Sequence, residues 1–547
     1  MSIKQNKKLI LVFFMAGLLR LFMLGSNPPH LSPDEASLGY NAYSILKTGK
    51  DEWGQALPLI LKSFGDYKPG LYVYLTVPFV WLLGLSEFVV RLPSAMAGIG
   101  IVYLLYKIVE KVSKDRNLAL ISAFVASTNP WLIQFSRGAW EVNVSLFFTL
   151  MGIYLFLISL TKHKYLILSA FFFGLTLLTY QGAKLSSVIV ILIFTGVNFR
   201  KFWRIGHKIK AVSLLIGLTM ALPIFIGMIQ GKAGRLEVYS VFSYPRNEET
   251  LENFLREGEV PEGGLTYELF YSESLNFTRG ILGRWFNHYS LNFLFFKGDW
   301  QNPKHSVPNS GLFLLSDLPL MILGLLVLAR LKNNKARNLI ALWLLLTPLP
   351  AILSRDQVHA VRSMNISIGL VVVSALGWQA VLKLKMRWLV AGALILYVGS
   401  LVYYLDALMI HQPKHDSRLW GYGYKQIVET VTPIQNDYEK VLVQQSYDQP
   451  YIYFLFFQKY DPAKWQAQAS FVPGENKFDV GKVEKMDNIV FGPVDWSLNR
   501  GDSGSLYVAD IVKMPIADSI DENQFKLIKE IKYLDNKYVA FRMIEIK

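Results

Sequence analysis

Asp34 and Glu35 stand side by side in the segment Pro33-Asp34-Glu35-Ala36. A carboxylate so placed can take a proton from a hydroxyl or amine as that nucleophile attacks a carbon centre. Partial burial would raise its basicity. The same residues also suit a helix start, since Ser32 and Asp34 are good caps and acids favour a first turn. Five cations recur downstream: Lys68, Arg91, Arg137, Lys184 and Arg362. Positive charge of this kind stabilises a phosphate as the bond to it breaks. Arginine grips phosphate through two hydrogen bonds, lysine as a point charge. Asp66, Tyr67, Glu141, Asp299, His305 and His359 lie in the same polar segments and join the candidate set. The histidines form no close-spaced ligand motif, but His30, His288, His305 and His359 with Asp34, Glu35 or Asp66 could hold a metal.

What must position these residues is a series of apolar runs. The 547 residues are 52% hydrophobic and 14% aromatic, with a mean hydropathy of +0.29. Runs of roughly 17–25 apolar residues, long enough to cross a bilayer as helices, recur from Leu9 to about Leu405 and then stop. The expected organisation is a polytopic membrane domain, 1–405, followed by a soluble domain, 406–547. The net charge of +15 is not a nucleic-acid footprint, because the basic residues cluster in short loops between apolar runs. Clusters at 4–8, 107–116, 162–164, 200–210, 332–337 and 383–387 read as cytoplasmic loops, where Lys and Arg accumulate. With no cysteine, disulfides, zinc–thiolate sites and thiol catalysis are excluded. The basic start and the run Leu9–Leu24 imitate a signal peptide, but no small-residue cleavage pattern follows. An uncleaved first span with a cytoplasmic N-terminus is expected.

All six basic clusters fall on one side if the stretch 71–86, with Tyr72, Tyr74, Trp81 and Pro78, lies in the interface rather than crossing. The count is then eleven spans, roughly 8–25, 92–110, 117–134, 141–160, 165–179, 184–199, 211–229, 311–331, 338–353, 363–382 and 388–405. The alternative is that 71–86 crosses and one later segment is wrongly assigned, with twelve or thirteen spans possible. This topology puts the chemical residues outside the cytoplasm, in loops 26–91 and 231–310 and at the outer ends of the spans. Snorkelling to the interface explains any one of the five cations. It explains five less well, because outer ends are poor in Lys and Arg.

Convergence on one face is the layout of an active site. A transporter or lipid flippase would carry ionisable residues near span midpoints and repeated halves, and neither is present. A non-catalytic envelope binding protein would need far fewer spans as an anchor. The tail reads as α/β, with a helix near 421–433, a strand at 440–446, an aromatic helix from Pro450 to Tyr460, strands near 488–493 and 505–512, and a final pair at 524–533 and 537–546. It carries no catalytic motif and is expected to be a stabilising cap. Gly421-Tyr422-Gly423 lacks the strand and lysine of a phosphate loop. The sequons at Asn143, Asn276 and Asn365 lie in or beside apolar stretches.

The order of the motifs resembles the GT-C superfamily of membrane glycosyltransferases, in the bacterial branch related to protein O-mannosyltransferases and aminoarabinose–lipid A transferases. The residues carrying it are Pro33-Asp34-Glu35-Ala36, Asp66-Tyr67-Lys68-Pro69, Arg91-Leu92-Pro93-Ser94-Ala95, Ser136-Arg137, Gly298-Asp299 with Lys304-His305, and Pro348-Leu349-Pro350 with His359 and Arg362. The resemblance implies a mostly helical GT-C fold with interfacial helices. It also implies inverting transfer of a hexose or pentose from a polyprenyl-phosphate carrier to a protein, glycan or lipid acceptor on the external face. By the same resemblance Asp34 is the general base, Glu35 supports it or the acceptor, and Lys68 meets the carrier phosphate. No cofactor is required, though a divalent metal is compatible. Two positions depart from the family pattern. Gly70 replaces the second proline of Lys-Pro-Pro, which loosens the turn, and Tyr67 replaces an acid, leaving Asp66 as the substitute.

Overall fold

The computed structural model describes residues 3–231, 240–445, 449–474, 481–515 and 523–547, and is mostly helical. Residues 232–239 of the long loop and residue 446 of the expected strand 440–446 lie outside the described residues. The chain begins with Ile3–Leu21 (α1), Pro33–Thr48 (α2), a strand pair Ile60–Ser63 (β1) and Asp66–Pro69 (β2), and Leu71–Leu83 (α3). Glu87–Ser113 (α4), Arg116–Thr128 (α5), Pro130–Arg137 (α6), Glu141–Ser159 (α7), Tyr165–Thr179 (α8) and Ala183–Val197 (α9) follow. The later apolar helices are His207–Ile229, Asp317–Ala329, Asn334–Leu346, Asn365–Lys383 and Arg387–Asp406.

Each of the eleven expected spans overlaps one of these helices. Five helices are long and apolar enough to cross a membrane, and a bent pair makes a sixth. Helix His207–Ile229 has only 17% of its most apolar window buried, and Arg387–Asp416 only 11%. Leu214, Leu218, Phe225, Ile395 and Leu396 on these helices are exposed. Apolar surface on that scale is matched by lipid hydrocarbon, not water, so the chain is a multi-pass membrane protein.

Two expectations change in detail, and a third, the non-crossing stretch 71–86, agrees with the helix observed there. The span 117–134 is not one helix: α5 and α6 meet at Asn129-Pro130 with a bend of 53°. Proline cannot continue the helical hydrogen bonding, Asn129 caps α6 through Leu132 N, and its side-chain amide reaches Leu312 O. The helix expected to end at 405 runs on to Asp416. The stretch 71–86 forms a helix of 13 residues, well under the length that crosses a bilayer upright, packed with α2 and α4.

The tail elements match the expected ones, with Tyr424–Val431 and Pro450–Phe457 helical. Strands Lys440–Gln444 (β3), Lys485–Met486 (β4), Ile489–Gly492 (β5), Ser505–Ala509 (β6), Phe525–Lys532 (β7) and Val539–Ile546 (β8) form a sheet ordered β4-β5-β3-β6-β8-β7. β3 runs parallel to β5 and β6, while β8 is antiparallel to β6 and β7. The apolar run Val441-Leu442-Val443 suits a strand covered on both faces. Val441 and Val443 join a core with Tyr451 and Phe454, and Leu442 joins a second with Trp496 and Met514. The first of these cores also contains Ala36, Leu38 and Tyr40 of α2 and Tyr72 and Val73 of α3. The sheet is thus anchored on the loop that carries Asp34.

Candidate active site

Ser32 caps α2 by accepting from Glu35 N, and the Glu35 carboxylate accepts in return from Ser32 N. With the cap made by these two, Asp34 is left over, in the first turn with its side chain 69% exposed. It faces Lys68, whose ammonium lies 2.5 Å from Asp34 Oδ1.

Lys68 is delivered by the β1–β2 hairpin, where Leu61 pairs with Lys68 and Ser63 with Asp66. The two-residue turn is Phe64-Gly65, both at positive φ, a geometry that matches the twist of paired strands and that glycine adopts without strain. The Gln181 amide donates to Tyr67 O, tying the hairpin to the turn between α8 and α9. Gly70 does not loosen this turn. Its N–H donates to Leu59 O at 2.9 Å, and a Cβ there would come within 2.1 Å of Leu61 Cδ1.

Asp34 and Lys68 lie on the wall of a cavity of about 770 Å³. Asp66, Glu141, Lys184 and Arg362 line the same cavity, together with Tyr180, Gln181, Ser63 and Ser354. Six residues selected from the sequence therefore meet there. Glu141 opens α7, and its buried Oε1 has no hydrogen-bond partner among the described residues. Arg362 Nη1 bonds Asp356 Oδ2 at 2.8 Å while bordering the cavity. Lys68 holds the Asp34 carboxyl below its usual 3.8, and Lys304 adds to the lowering. This is opposite to the raised basicity expected from partial burial. Burial disfavours the Lys68 charge, but Asp34, Glu141 and Asp66 outweigh it and hold the ammonium above its usual value.

Four expected site residues are elsewhere. Glu35 is buried, and its two oxygens accept from Arg91 Nε at 3.0 Å, Ala139 N at 2.9 Å and Ser32 N at 3.0 Å. Its lone pairs are spent on fixing α2 against α4 and the turn before α7. Arg91 is fully buried and donates to Leu24 O, Pro28 O and His30 O as well as to Glu35. Arg137 is buried too, donating to Leu19 O at 3.0 Å and Asn27 O at 3.0 Å. Both arginines are spent on carbonyls between the last turn of α1 and the start of α2, so neither reaches a phosphate in the cavity. Tyr67 sits on the hairpin, held through its backbone, and does not line the cavity.

Asp299, His305 and His359 form a separate cluster, with one ligand atom from each within 4.8 Å of the others. His305 Nδ1 is 2.8 Å from Asp299 Oδ2, which also accepts from Ala360 N at 2.7 Å. Burial first, then Arg362 and the neighbouring imidazoles, pushes His359 well below its usual value. Among the described residues, the histidines do not gather with Asp34, Glu35 or Asp66 into a set that could hold a metal. His30 is instead bonded to Leu31 O and, through Nε2, to Lys425 N. His288 takes His359 N. The residues to which the sequence assigns no site role are Lys304, which acts on Asp34, and Tyr180 and Gln181 on the cavity wall. Their signal was a short polar break, Tyr180-Gln181-Gly182, between two apolar runs.

Residues 67–226 match the model of the dolichyl-phosphate-mannose-protein mannosyltransferase family. In solved structures, the fold is similar to ArnT from Cupriavidus metallidurans in the apo state, at a TM-score of 0.55 and 11% identity, covering 98% of each chain. The same enzyme bound to undecaprenyl phosphate aligns at 0.50 and 11% identity, covering 98% of this chain and 97% of that one. The Archaeoglobus fulgidus oligosaccharyltransferase in complex with zinc and sulfate aligns at 0.49 and 14%, covering 82% of this chain. The chain spans about three fifths of that enzyme's length. No curated protein matches the sequence. The motif resemblance to the GT-C superfamily thus agrees with a family-model match and with the GT-C fold.

Proposed function

We propose that this GT-C-fold membrane protein is an inverting glycosyltransferase, moving a hexose or pentose from a polyprenyl-phosphate carrier to an acceptor on the non-cytoplasmic face. The observation that carries the reading is the Asp34–Lys68 pair on the wall of a cavity whose other cations are Lys184 and Arg362. The undecaprenyl phosphate held by the structurally similar ArnT supports the donor class.

The chemistry follows from the pair. In the donor-free cavity Lys68 neutralises Asp34 and makes it a poor base. A donor phosphate competes for Lys68, and Asp34 recovers basicity as the ammonium turns away. Asp34 then takes the proton from an acceptor hydroxyl or amine, whose lone pair attacks the anomeric carbon opposite the phosphate. The carbon–oxygen bond to phosphate breaks, and its electron pair leaves with the polyprenyl phosphate. Lys68, Lys184 and Arg362 meet the charge that develops on the leaving group. A single displacement inverts the anomeric centre.

Sidedness rests on the basic clusters of the short loops, which put the N-terminus in the cytoplasm and the cavity and the tail outside. We take 406–547 as a cap that braces α2, in keeping with the core they share. The mechanism needs no metal. If an ion is held, Asp299, His305 and His359 are its place. The test is to supply the purified protein with candidate polyprenyl-phosphate sugars and follow consumption. The wild type should consume one of them, and Asp34→Asn, folded as the wild type is, should not. Full turnover by that variant would overturn the assignment of the base.

A further inference from the structure

A second cavity, of about 390 Å³, lies at the other end of the bundle. Helices α7 and α9 begin at the first cavity with Glu141 and Lys184 and reach the second with Ile153 and Phe194. At 1.5 Å per residue these positions are about 15–18 Å farther along the helices. The walls are apolar, built from Val109, Leu118, Ile153, Phe194, Trp343 and Val372. Such a lining gives water too few hydrogen-bonding partners, and an empty apolar void deprives its walls of contacts. Within a bilayer, hydrocarbon is the filler at hand.

The mouth is of the opposite character. Lys332 and Lys383 stand there beside Ser113, Asp115, Asn333 and Gln379. The lining holds one acid, Asp115, which caps α5 through Asn117 N and Leu118 N, accepts from Gln379 Nε2 at 2.7 Å and feels the charge of Lys383. Lys332 and Lys383 are exposed and, among the described residues, form no ion pair within 4 Å. An apolar shaft under a mouth with two lysines and one hydrogen-bonded acid, positive on balance, is complementary to an anion carrying a hydrocarbon chain.

We propose that this cavity binds an anionic phospholipid, one acyl chain inside and the phosphate between Lys332 and Lys383. The site is separate from the sugar-transfer cavity, and its occupancy does not depend on that chemistry. The full-length protein, purified in detergent, is titrated with phosphatidylglycerol or phosphatidylcholine and read by native mass spectrometry. One phosphatidylglycerol should bind about 10-fold or more tighter than phosphatidylcholine. The double variant Lys332→Ala/Lys383→Ala should lose that preference, weakening the anionic lipid about 10- to 30-fold, because each lysine near an anionic headgroup supplies a similar increment. Ile340→Trp, which fills the shaft, should weaken both lipids. If it does not stay monodisperse, Leu331→Phe at the same cavity serves instead. Equal binding of the two lipids by the wild type, or unchanged occupancy in the filled variant, would overturn the proposal.

Discussion

The cavity wall and the layer beneath it each hold one acid–base pair, contributed by adjacent acids. On the wall, Asp34 meets Lys68 at 2.5 Å and remains largely exposed. Below it, Glu35 meets Arg91 at 3.0 Å with both side chains buried. The pairs differ in what else their atoms touch. Glu35 also accepts from Ala139 N and Ser32 N, and Arg91 also donates to three carbonyls. Asp34 accepts from Lys68 directly, at the wall of the cavity. A charged pair with unspent lone pairs facing a cavity can exchange partners with a ligand, whereas one with every lone pair used holds elements in register.

The sharpest test is to damage each pair and read both activity and stability. Asp34→Asn should cut the transfer rate about 10²- to 10⁴-fold, the span for loss of a general base, with little change in melting temperature. Arg91→Ala should do the reverse. It leaves Glu35 buried without its cation, a loss of about 3–5 kcal/mol, read as a large fall in melting temperature. An Arg91 variant that stays stable but inactive would move Arg91 into the chemistry and end the distinction.

A third acid of the same loop extends the buried side of the comparison. Glu52 is fully buried, with Asn41 Nδ2 at 3.0 Å and Ser37 Oγ at 3.4 Å, and burial pushes it up from 4.5 to about 8. The folded protein therefore binds a proton that the unfolded chain releases above 4.5. Stability should be highest below that pH and fall as pH rises towards 8, by up to about 3–5 kcal/mol. Glu52→Gln, which keeps the neutral shape, should reduce this slope in thermal unfolding measured from pH 4.5 to 8. Asp34, lowered rather than raised, adds nothing to that window.

On the cavity side, the exchange of Lys68 between Asp34 and a phosphate can be read from pH–rate profiles. The free protein holds Asp34 below 3.8, so kcat/KM should keep its activity to lower pH than kcat, which reports the donor complex. Lys68→Ala should reduce kcat/KM about 10- to 100-fold, the scale of one hydrogen bond to a charged group, and bring the two acid limbs together. Limbs that already coincide in the wild type would mean that Lys68 does not change partner.

The difference between the two regions also marks what the sequence made legible. Apolar runs located each helix of the bundle because burial in lipid demands length and composition together, both visible in the chain. Period-two patterns located the strands of the tail for a similar reason. The β1–β2 hairpin was missed, because four-residue strands joined by Phe64-Gly65 lack the usual Asn-Gly signal. Asp34, Lys68, Lys184 and Arg362 meet as their common position at outer ends implied. Arg91 and Arg137 looked identical to them in sequence. Whether a cation at a helix end meets water, phosphate or a carbonyl depends on the chain that packs over it, here Leu19 to His30. Asp299 found His359 only through a fold contact across some sixty residues, which no local pattern encodes.

The smallest expected effect concerns that last cluster. Asp299, His305 and His359 have the types and spacing of a divalent-metal site, yet the Asp299 oxygens already accept from His305, Ala360 N, Asn302 N and the Asn302 amide. Arg362 bears on His359 and repels a second positive charge. A carboxylate whose Oδ2 meets His305 Nδ1 and accepts from Ala360 N, while its Oδ1 accepts from Asn302, is arranged as a brace between the 299–305 loop and the 359–362 turn. Chelation with EDTA should therefore leave the transfer rate unchanged, while Asp299→Asn lowers the melting temperature by weakening the His305 contact. Loss of activity on chelation, restored by zinc or manganese in the wild type but not in Asp299→Asn, would instead place this cluster with the cavity wall, as a group whose remaining coordination is open to a ligand.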